Sequence, residues 1–89
     1  MNKIKIYNGS KIFLKANIDF EHKKISNIEN NDDLLLNSIF FNDFSFSRVL
    51  SFIKSRLKNF DYGDSKSIIS QINETHCKLF DDNISIQVT

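Results

Sequence analysis

KIKIYNGSKIFLKANIDF, residues 3–20, alternates apolar and polar side chains on either side of Asn8-Gly9. Ile4 and Ile6 share one side of the first run, and Ile12, Leu14, Ala16, Ile18 and Phe20 share one side of the second. A period of two is what a half-buried β-strand requires, because successive side chains point to opposite faces. Asn-Gly between two such runs predicts a β-hairpin. Its loop length follows from the need to keep one face apolar. A two-residue loop at Asn8-Gly9 would set Ile6 against Lys11 and Ile4 against Phe13. A three-residue loop, Asn8 to Ser10, sets Ile6 against Ile12 and Ile4 against Leu14. The three-residue loop is therefore the expected one, with a residue near Gly9 at positive φ.

The second strand is expected to turn back at His22-Lys23, with Phe20 opposite Ile25 inside and Glu21 opposite Lys24 outside. Asn30 to Asp33 form a polar break. The apolar run at residues 34–41 fits a buried strand or a helical turn equally by periodicity, and strand is the preferred assignment. Residues 45–60 give the clearest helix. Phe46, Val49, Leu50, Ile53, Leu57 and Phe60 recur at i, i+3, i+4 and i+7 and form one apolar stripe. Ser45 is the expected N-cap, Phe44 and Val49 a hydrophobic staple, and Gly63 the stop beyond the end. Strand character returns at residues 67–72, 74–80 and 84–88. A turn at Asp82-Asn83 would pair Leu79 with Ile86 and Cys77 with Val88. The expected fold is α+β: a single domain over residues 1–89, with a mainly antiparallel sheet of five to six strands packed against one central amphipathic helix, in the order βββ(β)-α-ββ(β).

Composition narrows the class. Eighty-nine residues have room for one hydrophobic core. An apolar share of 40% and a charged share of 26% are ordinary for a globular chain and unlike those of disordered ones. Nine Phe and no Trp assign much of the core volume to phenyl rings. No apolar run approaches the roughly 20 residues of a membrane span, and the N-terminus lacks the features of a signal peptide. The lone cysteine, Cys77, excludes an intramolecular disulfide and fits a reducing, cytoplasmic setting. Abundant Ile, Lys, Asn and Phe look like the imprint of an AT-rich genome, bacterial or phage.

Charge is unevenly spread although the formal net charge is only +1. Residues 1–28 hold six lysines against Asp19 and Glu21; Glu29, Asp32, Asp33 and Asp43 follow; then come Arg48, Lys54, Arg56 and Lys58. Such alternation presents patches of each sign.

Catalytic and metal chemistry find little to stand on. His22, His76 and Cys77 are too few for a structural zinc site, and adjacent His76 and Cys77 in a strand would point to opposite faces. The same geometry denies Cys77 an activating His. The pairs Asp32-Asp33 and Asp81-Asp82 sit in turn-like segments where Asp is favoured for local reasons. No phosphate-binding loop, dinucleotide fingerprint or nucleophile elbow occurs. No catalytic residue, metal ligand or cofactor site is therefore expected.

Binding is the remaining class. In the expected register the outer face of the first hairpin carries Lys3, Lys5, Tyr7, Lys11, Phe13 and Lys15, basic residues interleaved with aromatics as on a nucleic-acid platform. Lysine on exposed strands also serves simply to discourage aggregation. Phe13 lies on the expected solvent face, and Phe44 and Phe52 fall off the main stripe of the helix; such aromatics mark protein interfaces or, equally, complete the core around a thin sheet. Asp32, Asp33, Asp81 and Asp82 would suit a basic partner such as a nuclease cleft. The expectation is a non-enzymatic protein that neutralises a macromolecular partner, a toxin or nuclease, as immunity proteins and antitoxins do. A phage-encoded inhibitor of a host defence nuclease, of the anti-CRISPR type, is the close alternative. A nucleic-acid module on the basic hairpin is the other. A homodimer through an unpaired edge strand is also compatible.

Overall fold

Ile4 and Ile6 are fully buried in the computed structural model, which describes residues 2–41, 43–57, 59–74 and 83–89. They lie on β1 (Asn2–Asn8), which is followed by β2 (Lys11–Asp19) and β3 (Lys24–Asn30). Three helices come next, α1 (Asp33–Phe40), α2 (Phe46–Arg56) and α3 (Ser65–Glu74), and then β4 (Ile84–Val88). The strands form one antiparallel sheet in the order β3-β2-β1-β4. Ile4, Ile6, Leu14, Ala16, Ile18, Ile84, Ile86 and Val88 from the sheet share one core with Phe40, Phe46, Val49, Ile53, Ile68 and Ile72 from the helices. The helices cover one face of the sheet and leave the other to solvent.

The fold is α+β, but the expected layout is corrected. Among the described residues the sheet has four strands rather than five to six, and three helices stand where one central helix was expected. Residues 34–40 are helical because Asp32 caps their start, its side chain accepting from the Leu35 N–H at 3.0 Å, and Phe41 ends the helix. Leucine, which lacks a β-branch, joins a helix at little entropic cost. Residues 67–72 lie within α3, begun by the Asp64 carboxylate accepting from the Ser67 N–H at 2.9 Å. Ile68 and Ile72, four apart, form its buried stripe. Helix α2 starts at the expected cap, Ser45, whose hydroxyl accepts from the Arg48 N–H. It ends at Arg56, well before Gly63, because Leu57 is extended. The strand expected at residues 74–80 lies outside the described residues except for Glu74, which ends α3. The pairings expected through Cys77 and Leu79 lie outside them too. The described partner of β4 is β1, with Ile86 opposite Ile6 and Val88 opposite Ile4.

The first hairpin keeps one face apolar by a different device. Gly9 has φ of +63°, as anticipated, but the strand pairing closes at Asn8 and Lys11, so the loop is Gly9-Ser10. Tyr7 then faces Ile12 and Ile6 faces Leu14, which leaves Phe13 as the extra residue of a β-bulge. The bulge reverses the phase of β2, so the consecutive Phe13 and Leu14 are both buried, at 5% and 0% exposure. The second hairpin also shifts register. Asp19 faces Lys24 and Ile18 faces Ile25, because the Asp19 carboxylate accepts from the N–H groups of Glu21 and His22 and widens the turn.

Two amide side chains of α3 hold the chain around it. Asn73 donates to the Val88 carbonyl at 2.7 Å and accepts from the Val88 N–H at 3.0 Å, so it occupies the outward-facing groups of Val88, at the end of strand β4, as a neighbouring strand would. Gln71 makes the same pair of bonds to the backbone of Asp61, at 2.9 Å each. Val88 is fully buried, so removing its partner leaves both backbone groups unsatisfied. Asn73→Ala is expected to lower the unfolding free energy by about 2 kcal/mol, read from urea denaturation.

Candidate functional site

Helix α1 is short, rich in apolar side chains and poorly covered. Of its residues only Phe40 is buried. That ring meets Phe44 edge-on at 5.0 Å and Phe52 at 5.3 Å, which draws both of those aromatics towards the core. Phe44 and Phe52 are half-buried against the core and follow the core-completing alternative, while the solvent-face place expected for Phe13 is corrected. The rings and chains that do face water are others: Leu34 is 83% and Phe41 71% exposed. Leu34 lies in the first turn of α1 and Phe41 caps its C-terminus. The signal was present in the run Leu34 to Phe41, which holds more apolar residues than one side of a single helix buries.

Phe41 is conformationally costly as well as exposed. It caps α1 in the left-handed region, at φ 54° and ψ 44°, with its N–H donating to the Asn37 carbonyl. A bulky residue there is disfavoured by about 1–2 kcal/mol, and glycine is the usual occupant. The Arg48 guanidinium lies 5.7 Å from the Phe41 ring centre and is itself 3.7 Å from the Asp43 carboxylate. The ring is thus braced from α2 while remaining open to solvent.

The acidic pair expected at a partner interface is engaged locally. Asp32 caps α1, and Asp33 accepts from the Asn30 side-chain amide at 2.7 Å. Asp81 and Asp82 lie outside the described residues. The lysine set is brought together in part. Lys3, Lys5, Tyr7 and Lys15 share the open face of the sheet, with Lys5 directly opposite Lys15. Lys11 sits opposite Asn8 at the hairpin end, out of phase with Lys15 because of the bulge. Phe13 is in the core and takes no part.

A groove of about 680 Å³ runs between the β2–β3 turn, the start of α2 and residues 62–63, lined by Phe20, Phe46, Leu50, Tyr62 and Ile68 beneath Lys23 and three serines. Among the described residues that line it there is no carboxylate, histidine or cysteine, and so no pair for general acid–base or nucleophilic chemistry. Among the described residues no three His, Cys, Asp or Glu side chains gather as a metal site would need. His76 and Cys77 lie outside them.

One titrating pair stands at the β2–β3 turn, where His22 Nδ1 lies 2.8 Å from Asp19 Oδ2. The hydrogen bond to Asp19 raises the His22 pKa above 6.5, and the same bond lowers that of Asp19 below 3.8. Protonated His22 is the form the pair favours, so its contribution to stability is complete below pH 6.5 and is lost as pH rises through the higher folded-state value. The Asp19 contribution is present above pH 3.8 and is lost as pH falls through the lower folded-state value. NMR titration of the His22 ring is expected to give a midpoint above 6.5 that returns towards 6.5 in Asp19→Asn. No known protein family, curated protein or solved structure shows a match to this chain, so its function has to be read from these surfaces.

Proposed function

We propose that this chain is a non-enzymatic binding protein that docks onto a protein partner through the exposed side of α1 and acts by occluding it. The observation that supports this reading is Phe41, a large ring held in a backbone conformation that favours glycine and displayed to water. Folding gains little from that arrangement, whereas an aromatic anchor at the centre of an interface contributes strongly to association. Leu34, in the first turn of the same helix, adds a second exposed apolar side chain, and the Arg48–Asp43 pair supplies a polar rim.

The reading fits a neutraliser of a bacterial toxin, in the manner of immunity proteins and antitoxins. It fits a phage-encoded inhibitor of a host nuclease equally well, since each needs only a complementary surface. The lone cysteine supports a reducing cytoplasmic setting. No helix among the described residues is long and apolar enough to cross a membrane.

The test separates binding from folding. Phe41→Gly relieves the left-handed strain but loses the contact with Arg48 and adds chain entropy, effects of about 1 kcal/mol each that nearly cancel. Its stability is expected to stay within about 1 kcal/mol of the parent, whereas Phe40→Ala next to it costs about 3–5 kcal/mol. Leu34→Glu adds an acid to the first turn of α1, where the helix dipole favours it. The parent chain is expected to capture one stoichiometric partner from lysate of its source or of that organism's competitors. Calorimetry on the purified pair should show affinity falling at least tenfold in Phe41→Gly and Leu34→Glu. Undiminished affinity in both variants would exclude α1 as the contact.

A further inference from the structure

The open face of the sheet carries a second surface that α1 does not touch. Lys3, Lys5 and Tyr7 follow one another along β1, alternating with the buried Ile4 and Ile6. Across the strands Lys5 faces Lys15 on one side and Gln87 on the other, and Lys3 faces Asn17. Lys15 has Glu29 beyond it on β3, but Lys3 and Lys5 have no acidic residue opposite them on either neighbouring strand. Like charges directly opposite one another weaken a sheet. Among the described residues none of the three lysines enters an ion pair. A shallow groove of about 680 Å³ runs between them, lined also by Asn17, Asn27 and Glu29.

Tyr7 completes the set. Its hydroxyl donates to Gln87 Oε1 at 3.0 Å, which fixes the ring on the sheet surface two residues beyond Lys5. Lysines alone would suit any anion. A fixed aromatic ring in line with them suits an anion that carries unpaired bases, because duplex bases are already stacked on one another.

We propose that this face binds single-stranded nucleic acid, with Lys3, Lys5 and Lys15 on the phosphates and Tyr7 stacking against a base. The site is independent of the α1 contact and lies on the face of the sheet that the helices leave open. Three phosphate contacts on a single strand give a slope of about −2 for log affinity against log salt.

Fluorescence anisotropy with a labelled oligothymidylate of about 15 nucleotides, roughly one such site, tests it. Affinity is expected to fall about 20-fold between about 50 and about 200 mM salt. Lys5→Gln should make the slope shallower by about 0.7 and weaken binding at low salt. Its melting temperature should hold or rise, since the like-charge pair is gone. Lys3→Gln, at an exposed position, should repeat the binding effect. Tyr7→Leu should weaken binding roughly tenfold while Tyr7→Phe retains it. A duplex of equal length and heparin are expected to bind more weakly than the single strand. Phe41→Gly should bind the oligonucleotide as the parent does, which keeps this test distinct from that of the α1 contact. No binding at low salt overturns the proposal. So does binding that is insensitive to Tyr7→Leu, or equal affinity for duplex and heparin, either of which would mark the face as a general acidic-partner surface.

Discussion

Strand β1 is paired on both sides, to β2 and to β4, and Ile4 and Ile6 have no exposure at all. The first strand of the chain is therefore held by the last, with Lys3 and Thr89 exchanging backbone hydrogen bonds at 2.9 and 3.0 Å. Every other element is placed by that arrangement. β3 reaches the sheet only through β2, and the helices between β3 and β4 have to lie on the face towards which the β1 isoleucines point. A sheet covered on one face only is a common antiparallel solution. It leaves the opposite face, with its lysines, exposed to water.

The hairpin pattern at residues 3–20 was legible because alternation and Asn-Gly are local signals. Strand β4 and the start of α2 at Ser45 were legible for the same reason. The bulge at Phe13 was not, since an extra residue is revealed only by the strand it faces; alternation cannot say that Phe13 and Leu14 both turn inward. Helices α1 and α3 were hidden by composition. Leu-Leu-Leu and Ile-Ile read as strand, while the deciding groups were single carboxylates, Asp32 and Asp64, each accepting one backbone N–H. Of the candidate site, the lysines of β1 and Lys15 were legible as a face. Leu34 and Phe41 were missed because the strand reading of their segment gave no reason to ask which of its apolar residues stayed uncovered.

Aromatic residues divide by what they touch rather than by where they fall in the sequence. Phe40, Phe44 and Phe52 form one cluster, and Phe20 meets Phe46 edge-on at 5.9 Å. Phe41, adjacent to the most deeply buried ring of that cluster, is open to water at the left-handed turn that ends α1. The chemistry available at the exposed side is contact and exclusion of water, which is the kind of work a binding protein does.

The amide clamp of Asn73 on Val88 also limits how copies of this chain can join. With the amide and carbonyl of Val88 occupied, a strand from a second copy cannot pair with that end of β4.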